Sequence, residues 1–235
     1  MKARDVQLEQ LDGLSPGDPA AIRSRGDLRR LNRIMGNPGI LARALLRQSA
    51  ATPACPVRLR LLDLGSGDGT ALLHVAKILG PAGVTAEATL LDRLDLVTPE
   101  THRAFTALGW NVKVVAADAG PWLGGLQAPH DVVVANLFLH HFPDRALADL
   151  LRAAASVSRL FIACEPRRSA AALATSRLVG LIGCNGVTRH DAVASVRAGF
   201  VGSELTALWP SVPKWALYED SAGLFSHRFI ARRND

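Results

Sequence analysis

Short apolar runs alternate with amphipathic segments over most of the chain. The runs predict buried strands at residues 57–64, 87–92, 111–117, 131–137 and 159–164. Apolar residues at helical spacing predict intervening helices at residues 70–79, 99–108 and 144–157. The run at 131–137 is apolar nearly throughout, which is typical of a central strand buried on both faces. The alternation of strand and helix predicts an α/β fold with a doubly wound, mostly parallel sheet.

The two ends of the chain depart from this alternation. Residues 1–25 mix charges with glycine and proline and predict a flexible N-terminal arm. Residues 26–56 predict a cap of two amphipathic helices, the first with Asp27 as its N-cap. The main domain then spans residues 57–235, with a helical insertion at 165–202. In and after the insertion, the pattern predicts helices at 168–182 and 189–198 and strands at 203–208, 215–218 and 226–232.

A glycine loop follows the first predicted strand, in the segment LLDLGSGDGT. It places Gly65, Gly67 and Gly69 at alternate positions between a strand and a helix. Glycine permits a positive φ and lets a ligand approach the backbone closely. Asp63 and Asp68 flank the loop, and a pair of carboxylates repels a pyrophosphate but attracts a cation. The loop therefore predicts a site for a cationic ligand, and the lack of Gly-Lys-Ser/Thr excludes a Walker A loop.

This loop resembles motif I of the class I methyltransferases that use S-adenosylmethionine (SAM). The resemblance covers about residues 57–233 and implies a seven-stranded, Rossmann-like sheet with SAM as cofactor. It also implies that Asp92, at the end of the second strand, binds the ribose. Asp118 would contact the adenine amino group with Ala119 beside the ring, and Asn136 would lie under the methionine moiety. A Rossmann-like domain for another nucleotide, and a protein that binds SAM without catalysis, remain open alternatives.

Histidines follow the fourth predicted strand, and a glutamate ends the fifth. His140 and Glu165 therefore lie at carboxyl ends of strands, where open α/β sheets bind their ligands. A positioned histidine is the usual base for removing an acceptor's proton, and a neighbouring carboxylate raises its basicity. The pair resembles the His–Glu dyad of C-methyltransferase domains in polyketide synthases. We expect His140 to be the base with Glu165 as its partner, and His141 is the alternative.

The insertion at 165–202 carries the candidate acceptor contacts. Arg168 and Arg189 would bind a carboxylate or phosphate, and His190 would act as a second acid or base; a solvated face is the alternative. The whole pattern resembles the stand-alone methyltransferases that accompany bacterial type III polyketide synthases. That resemblance implies a small, fairly apolar acceptor, phenolic or polyketide-like, methylated at oxygen or at an acidic carbon.

The charge distribution bears on a nucleic-acid partner. The net charge is +6, and all of it lies in residues 1–60, with 11 Lys and Arg against 5 Asp and Glu, whereas residues 61–235 hold 16 of each. Clustered arginine can neutralise phosphates, so an RNA methyltransferase is an alternative. Against it, Asn136 is followed by Leu137 and Phe138, without the Asn-Pro-Pro-Tyr type of motif used on base amino groups. We therefore expect a small-molecule substrate rather than a nucleic acid.

Composition also bears on the compartment. The three cysteines Cys55, Cys164 and Cys184 form no CxxC pair, which disfavours a disulfide scaffold and a structural metal, so we expect no metal. The sequence shows neither a secretory leader nor an apolar run long enough to span a membrane. We expect a cytoplasmic protein with a small-molecule acceptor and no membrane partner, and a homodimer is left open.

Overall fold

A seven-stranded sheet organises the chain in a computed structural model that describes residues 3–49, 57–126, 129–211 and 214–234. Its strands are β1 Val57–Leu64, β2 Val84–Asp92, β3 Asn111–Ala116, β4 His130–Asn136, β5 Ser158–Pro166, β6 Trp215–Ala222 and β7 Ser226–Arg233. They lie in the order β3-β2-β1-β4-β5-β7-β6. Only β7 runs antiparallel to its neighbours β5 and β6 among these pairings. The predicted doubly wound, mostly parallel sheet is confirmed.

Helices cover both faces of this sheet. They are α1 Pro19–Met35, α2 Asn37–Ser49, α3 Thr70–Leu79, α4 Pro99–Ala107, α5 Ala119–Gly124, α6 Asp144–Val157, α7 Ala170–Ser176, α8 Gly186–Ala198 and α9 Glu204–Leu208. Successive residues of β1 and β4 enter opposite cores, so that Leu61 packs on one face and Leu62 on the other. The strand order reverses between β1 and β4, which opens a crevice at their carboxyl ends.

The N-terminal boundaries differ from the prediction. Helix α1 begins at Pro19, because Asp18 accepts a hydrogen bond from the Ala20 amide at 2.7 Å and proline favours the first helical position. Asp27 is therefore not an N-cap. It is buried within α1 and its carboxylate accepts hydrogen bonds from the Asn185 amide and the Thr188 hydroxyl. The predicted linker at 50–56, with Cys55, lies outside the described residues.

The residues before α1, which we call the arm (residues 3–18), are bonded to the body of the protein. Arg4 donates to the Ala198 carbonyl at 2.9 Å and to Asp144 at 2.6 Å, and its guanidinium lies 4.2 Å from the Phe200 ring centroid. The Asp191 carboxylate accepts the backbone N–H groups of residues 10 and 11. Because these charged groups find partners more than 130 residues away, the arm is ordered against the body rather than loose as predicted.

Two further predictions near the C-terminus were wrong. The helix predicted over 168–182 breaks into α7 and a 3-10 turn at Val179–Ile182, which ends where Gly183 adopts a φ of +82°. The strand predicted at 203–208 is helix α9. The Glu219 carboxylate accepts the Leu205 and Thr206 amides at 3.0 and 2.7 Å, which satisfies the free N–H groups of that helix start. In the described part of the chain, no helix is long and apolar enough to cross a membrane.

Candidate active site

A cavity of about 730 Å³ opens at the carboxyl ends of β1, β2 and β4. The glycine loop and the strand ends form its floor, and the arm, α1 and the segment of α7 and α8 form its roof and wall. The floor residues that line it are Asp63, Gly65, Ser66, Gly67, Asp68, Asp92, Asn136, His140 and His141. A cavity therefore lies at the edge of the sheet where the sequence predicts ligand binding.

The glycine loop has the backbone shape that the sequence predicts. Gly65, Gly67 and Gly69 all have φ between +55° and +76°, where side chains with a Cβ are strained. A Cβ on Gly65 would lie 2.2 Å from Phe138, whereas a Cβ on Gly67 would meet nothing within 4 Å. Gly67 therefore lets the backbone border the cavity directly.

The acidic residues of the site differ in their hydrogen-bond partners and in their burial. Asp68 accepts the Thr70 amide at 3.0 Å and Arg29 at 2.6 Å, so it caps α3 and its charge is paired. Asp92 accepts the Gly67 amide at 2.9 Å. Asp63 is buried at the floor, and burial together with the nearby Asp92 charge raises its pKa to about 8. The floor therefore holds two neighbouring acidic groups, and a bound cation would favour the ionised form of Asp63.

Two buried polar atoms of the floor fit a bound ligand. Ser66 Oγ and Asn136 Oδ1 are buried without a hydrogen-bond partner among the described residues, and both residues line the cavity. Buried polar atoms normally have partners, and a ligand in the cavity can supply them. With Asp63, Asp92 and the open backbone at Gly67, these groups fit SAM, which carries a sulfonium, an ammonium and ribose hydroxyls.

The predicted adenine contacts are placed differently. Asp118 is the N-cap of α5 and accepts the Gly120 amide at 3.3 Å, and Ala119 is packed in the core. Neither belongs to the described residues that line the cavity. Gly69 is also absent from that lining, because it packs over Leu90 and Thr101 at the start of α3. Roles for these three residues remain predictions.

The structure brings His140 and Glu165 together, as the sequence predicts. His140 Nδ1 donates to Glu165 Oε2 at 2.8 Å, and both side chains are buried. Glu165 also accepts the backbone N–H groups of residues 138–140 at 2.9 to 3.3 Å. Burial alone would raise the pKa of Glu165, but the hydrogen bonds from His140 and this backbone hold it below its usual value. Glu165 thus fixes the turn after β4, where Leu137 has a φ of +53°.

A second carboxylate, from the arm, faces the other ring nitrogen. Glu9 Oε1 lies 3.4 Å from His140 Nε2, and its side chain is only 10% exposed. Burial would lower the pKa of His140, but the bonds to Glu165 and Glu9 raise it to about 9. Burial would likewise raise the pKa of Glu9, yet the bond to His140 lowers it to about 2. At neutral pH, His140 is therefore an imidazolium held between two carboxylates.

The alternative base, His141, also lines the cavity. Its Nδ1 lies 3.7 Å from Asp12 Oδ2 of the arm. Burial and the charge on His140 lower the pKa of His141, so that this ring is neutral beside a charged one. No pattern in the sequence indicates Glu9 or Asp12, because their position depends on the path of the arm across the cavity.

The same groups bear on metal binding. Glu9, His140 and His141 each bring one nitrogen or oxygen within 4.8 Å of the others. A metal ligand needs a free lone pair, and a protonated imidazole has none. A metal at this group would therefore have to displace the proton that the facing carboxylates favour on His140 Nε2.

The three predicted acceptor contacts do not face the cavity. Arg168 is buried and bonded to Glu204 and to the Gly199 carbonyl at 2.5 to 3.1 Å. Arg189 lies over Gly180, and His190 Nδ1 is 3.0 Å from Asp191. None of them is among the described residues of the lining, so their contact with an acceptor remains a prediction. Arg168 joins the end of β5 to Gly199 and Glu204, and His190 contacts its neighbour Asp191 on α8.

The wall is apolar instead. Opposite the histidines, α1 contributes Leu28, Leu31, Ile34 and Met35, and the segment around α7 and α8 contributes Leu178, Val179, Ile182 and Val196. The apolar face of α1 that the sequence predicts as part of a cap thus lines the cavity. An acceptor that reaches His140 crosses a hydrophobic surface.

Comparisons with known proteins agree with this geometry. Residues 61–159 match a family model described as a methyltransferase domain. No curated protein sequence matches the chain. A magnesium protoporphyrin IX methyltransferase from Synechocystis PCC 6803, solved with bound SAM, is 14% identical; the match covers 96% of this chain and 88% of that one, with a TM-score of 0.53.

Two further solved structures share the fold. The plantazolicin methyltransferase BamL is 12% identical over 96% of this chain and 93% of its own, with a TM-score of 0.65. An O-methyltransferase-like protein from Nostoc punctiforme PCC 73102 is 13% identical over 94% and 66%, with a TM-score of 0.57. At these identities the likeness is one of fold. Together with the glycine loop and the methyltransferase-domain match over residues 61–159, this likeness supports a class I SAM-dependent methyltransferase.

Proposed function

We propose that the chain methylates an oxygen or an acidic carbon of a small, fairly apolar acceptor, phenolic or polyketide-like, with His140 as general base. The observation that carries the proposal is the buried pair of His140 and Glu165 at the edge of a cavity shared with the glycine loop. When bound, SAM supplies a methyl group already activated on a sulfonium. The protein then has to bind, align and remove a proton.

The cofactor side of the cavity would be held by the floor. The carboxylates of Asp63 and Asp92 complement positive charge and hydroxyl groups, and Ser66 and Asn136 offer unpaired polar atoms. Gly67 keeps its side of the cavity open to a ligand. These residues would hold the charged groups and the ribose of SAM, and the adenine contacts of Asp118 and Ala119 stay predictions.

The acceptor side would place an acidic proton at His140 Nε2. Glu165 holds Nδ1 as a donor, so Nε2 is the ring nitrogen that can accept a proton once it is free. The Glu165 carboxylate then stabilises the imidazolium that forms. His141, the alternative base, does not pair with Glu165, because its Nδ1 faces Asp12 instead.

The apolar wall supports a small and hydrophobic acceptor. One of the structural neighbours is named for magnesium protoporphyrin IX, another was solved with a triazolic desmethyl-plantazolicin analogue, and a third is the methyltransferase domain of the citrinin polyketide synthase. The compounds named for the first two are small molecules. They agree with the acceptor class proposed here, and an acceptor with an ionisable hydroxyl or carbon acid suits the buried base.

An RNA methyltransferase is the second candidate, favoured by the basic N-terminal quarter. Many of its arginines are already used in ion pairs. The pairs are Arg4 with Asp144, Arg29 with Asp68, Arg30 with Asp27, Arg58 with Glu87 and Arg60 with Asp131. The arm and α1 also roof the cavity, which suits a small molecule better than a polynucleotide. A cytoplasmic location, like a homodimer, remains part of the proposal.

The proposal is tested by methyl transfer from labelled SAM to a panel of phenolic polyketides, with bulk RNA in parallel. We expect product with a phenolic acceptor and none with RNA. His140→Ala should keep its affinity for SAM and lose turnover, because it removes the base and leaves the cofactor floor intact. Transfer to RNA alone, or unchanged turnover in His140→Ala, would contradict the proposal.

A further inference from the structure

A carboxylate of the arm occupies the nitrogen that the reaction needs. Glu165 engages His140 Nδ1 at 2.8 Å, and Glu9 Oε1 lies 3.4 Å from Nε2. The Ser195 hydroxyl on α8 donates to the same Glu9 oxygen. In this arrangement the proposed base carries a proton on each nitrogen and has no lone pair with which to accept another.

We propose that Glu9 is a positioning residue that competes with the acceptor for His140 Nε2, so that a docking acceptor displaces the Glu9 carboxylate and frees the imidazole to act as base. This inference rests on the proposed function. It gives the arm a role in the reaction, because Glu9 lies more than 120 residues before His140 in the sequence but next to it in the structure.

Among the described residues, charged groups face His140 from two elements besides its own. Glu165 faces it from β5, and Glu9 from the arm; the neighbouring ring of His141 is 4.3 Å away between centroids. Arg4 donates to the His140 carbonyl at 3.4 Å. Asp12, also on the arm, faces His141. Two carboxylates directly on the ring favour the imidazolium, and removal of one lowers that preference.

The arm delivers Glu9 by contacts on both sides of it. Asp191 accepts the Gln10 and Leu11 amides at 2.8 and 3.0 Å, directly after Glu9. Arg4 anchors the preceding residues on Asp144 and over Phe200. These anchors hold Glu9 against His140, and we expect its withdrawal to move the side chain or the short stretch between the anchors.

The steps balance in protons and electrons. When Glu9 leaves, the Nε2 proton is lost to solvent and the neutral ring keeps Nδ1–H toward Glu165. The acceptor O–H or C–H then gives its proton to Nε2 as its oxygen or carbon bonds to the methyl group. The methyl–sulfur bond breaks with its electron pair remaining on sulfur, so the sulfonium becomes a neutral thioether. The proton taken up by Nε2 restores the imidazolium that pairs with Glu9 when the carboxylate returns, and it is lost to solvent when the next acceptor displaces Glu9.

The test is the pH dependence of kcat/KM with a phenolic acceptor for the wild type and for Glu9→Gln. The amide can still accept from Ser195 but carries no charge. We expect the pH at which kcat/KM reaches half its plateau to fall by at least one unit, so that kcat/KM at neutral pH rises about tenfold. The matched control is Asp5→Asn, an exposed arm carboxylate, which should leave the profile unchanged.

A purely structural role for Glu9 predicts a different result, an equal loss of kcat/KM at every pH with no shift of the profile, and that result would overturn the inference. The pKa of His140 measured by NMR on labelled histidine needs no acceptor. It should fall in Glu9→Gln, and an unchanged value would also overturn the inference. If the wild type shows no methyl transfer but the His140 pKa falls in Glu9→Gln, the proposed function is wrong, whereas the effect of Glu9 on His140 is confirmed.

Discussion

Asp63 is the residue whose protonation responds most directly to a bound cation. Its carboxyl is buried beside Asp92, and both effects raise its pKa to about 8, so the unliganded floor carries an extra proton at neutral pH. A carboxyl with a raised pKa in the folded state destabilises the fold as pH rises from its ordinary value toward the raised one. A cation placed against Asp63 reverses this, because it favours the carboxylate.

SAM affinity should therefore rise with pH. Below the raised pKa, binding has to remove one proton from Asp63, so the association constant should increase about tenfold per pH unit between pH 6 and 7.5. Over that range the ammonium of SAM stays largely protonated. Titration calorimetry at three pH values measures the slope.

Asp63→Asn is the control for this slope. The amide cannot lose a proton, so its SAM affinity should be lower and nearly independent of pH. The same pH dependence in both proteins would show that Asp63 does not titrate with binding.

Residue positions differ in how well sequence predicts them. The glycine loop and the pair of His140 and Glu165 were predictable, since residues at the carboxyl ends of adjacent parallel strands meet at one edge of the sheet. The contacts of Arg168 were not, because its partner Glu204 lies 36 residues away in a helix that the pattern predicts as a strand. Glu9 was not either, since nothing local fixes the path of the arm.

At the scale of elements, the arm and α8 act together. Asp191 is 3% exposed, and it joins the two elements by accepting the amides of Gln10 and Leu11. Sequence indicated α8 as a helix but not what it binds, because hydrophobic periodicity does not encode a buried carboxylate's partner. The same limit explains α9, whose start is satisfied by Glu219 from a distant strand rather than by a local cap.

Asp191→Asn should loosen the arm. An amide can accept only one of the two backbone donors as well as the carboxylate does, so the change should cost about 1 to 3 kcal/mol of unfolding free energy. Urea denaturation measures this cost, and the amides of residues 10 and 11 should exchange hydrogen faster.

The matched control is Asp149→Asn on α6. Asp149 is exposed and pairs only with Arg152 three residues away, an arrangement worth little. Equal losses of stability in the two variants, or unchanged amide exchange in Asp191→Asn, would contradict the anchoring role of Asp191.

At the scale of the whole molecule, the sheet topology places the site. Alternation of strand and helix predicted the parallel core, and the order reversal between β1 and β4 puts the crevice at their carboxyl ends. The same architecture shows where the net charge of +6 lies. Residues 1–56 carry +4 of it, with 9 Lys and Arg against 5 Asp and Glu, and Arg58 and Arg60 on β1 carry the remaining +2. Arg4 and Arg29 pair with Asp144 and Asp68 of the body, and the cavity floor itself is acidic.

The most direct test of the account is calorimetric titration of the protein with SAM, in the wild type and in Gly67→Arg. A side chain at Gly67 enters the cavity, and a guanidinium there would replace the cofactor's positive charge beside Asp63 and Asp92. The matched control Gly80→Arg lies after α3, outside the described lining and with nothing within 4 Å of its Cβ. The account predicts binding of one SAM to the wild type and to Gly80→Arg, and none to a folded Gly67→Arg. Absence of binding to the wild type, or undiminished binding to Gly67→Arg, would contradict it.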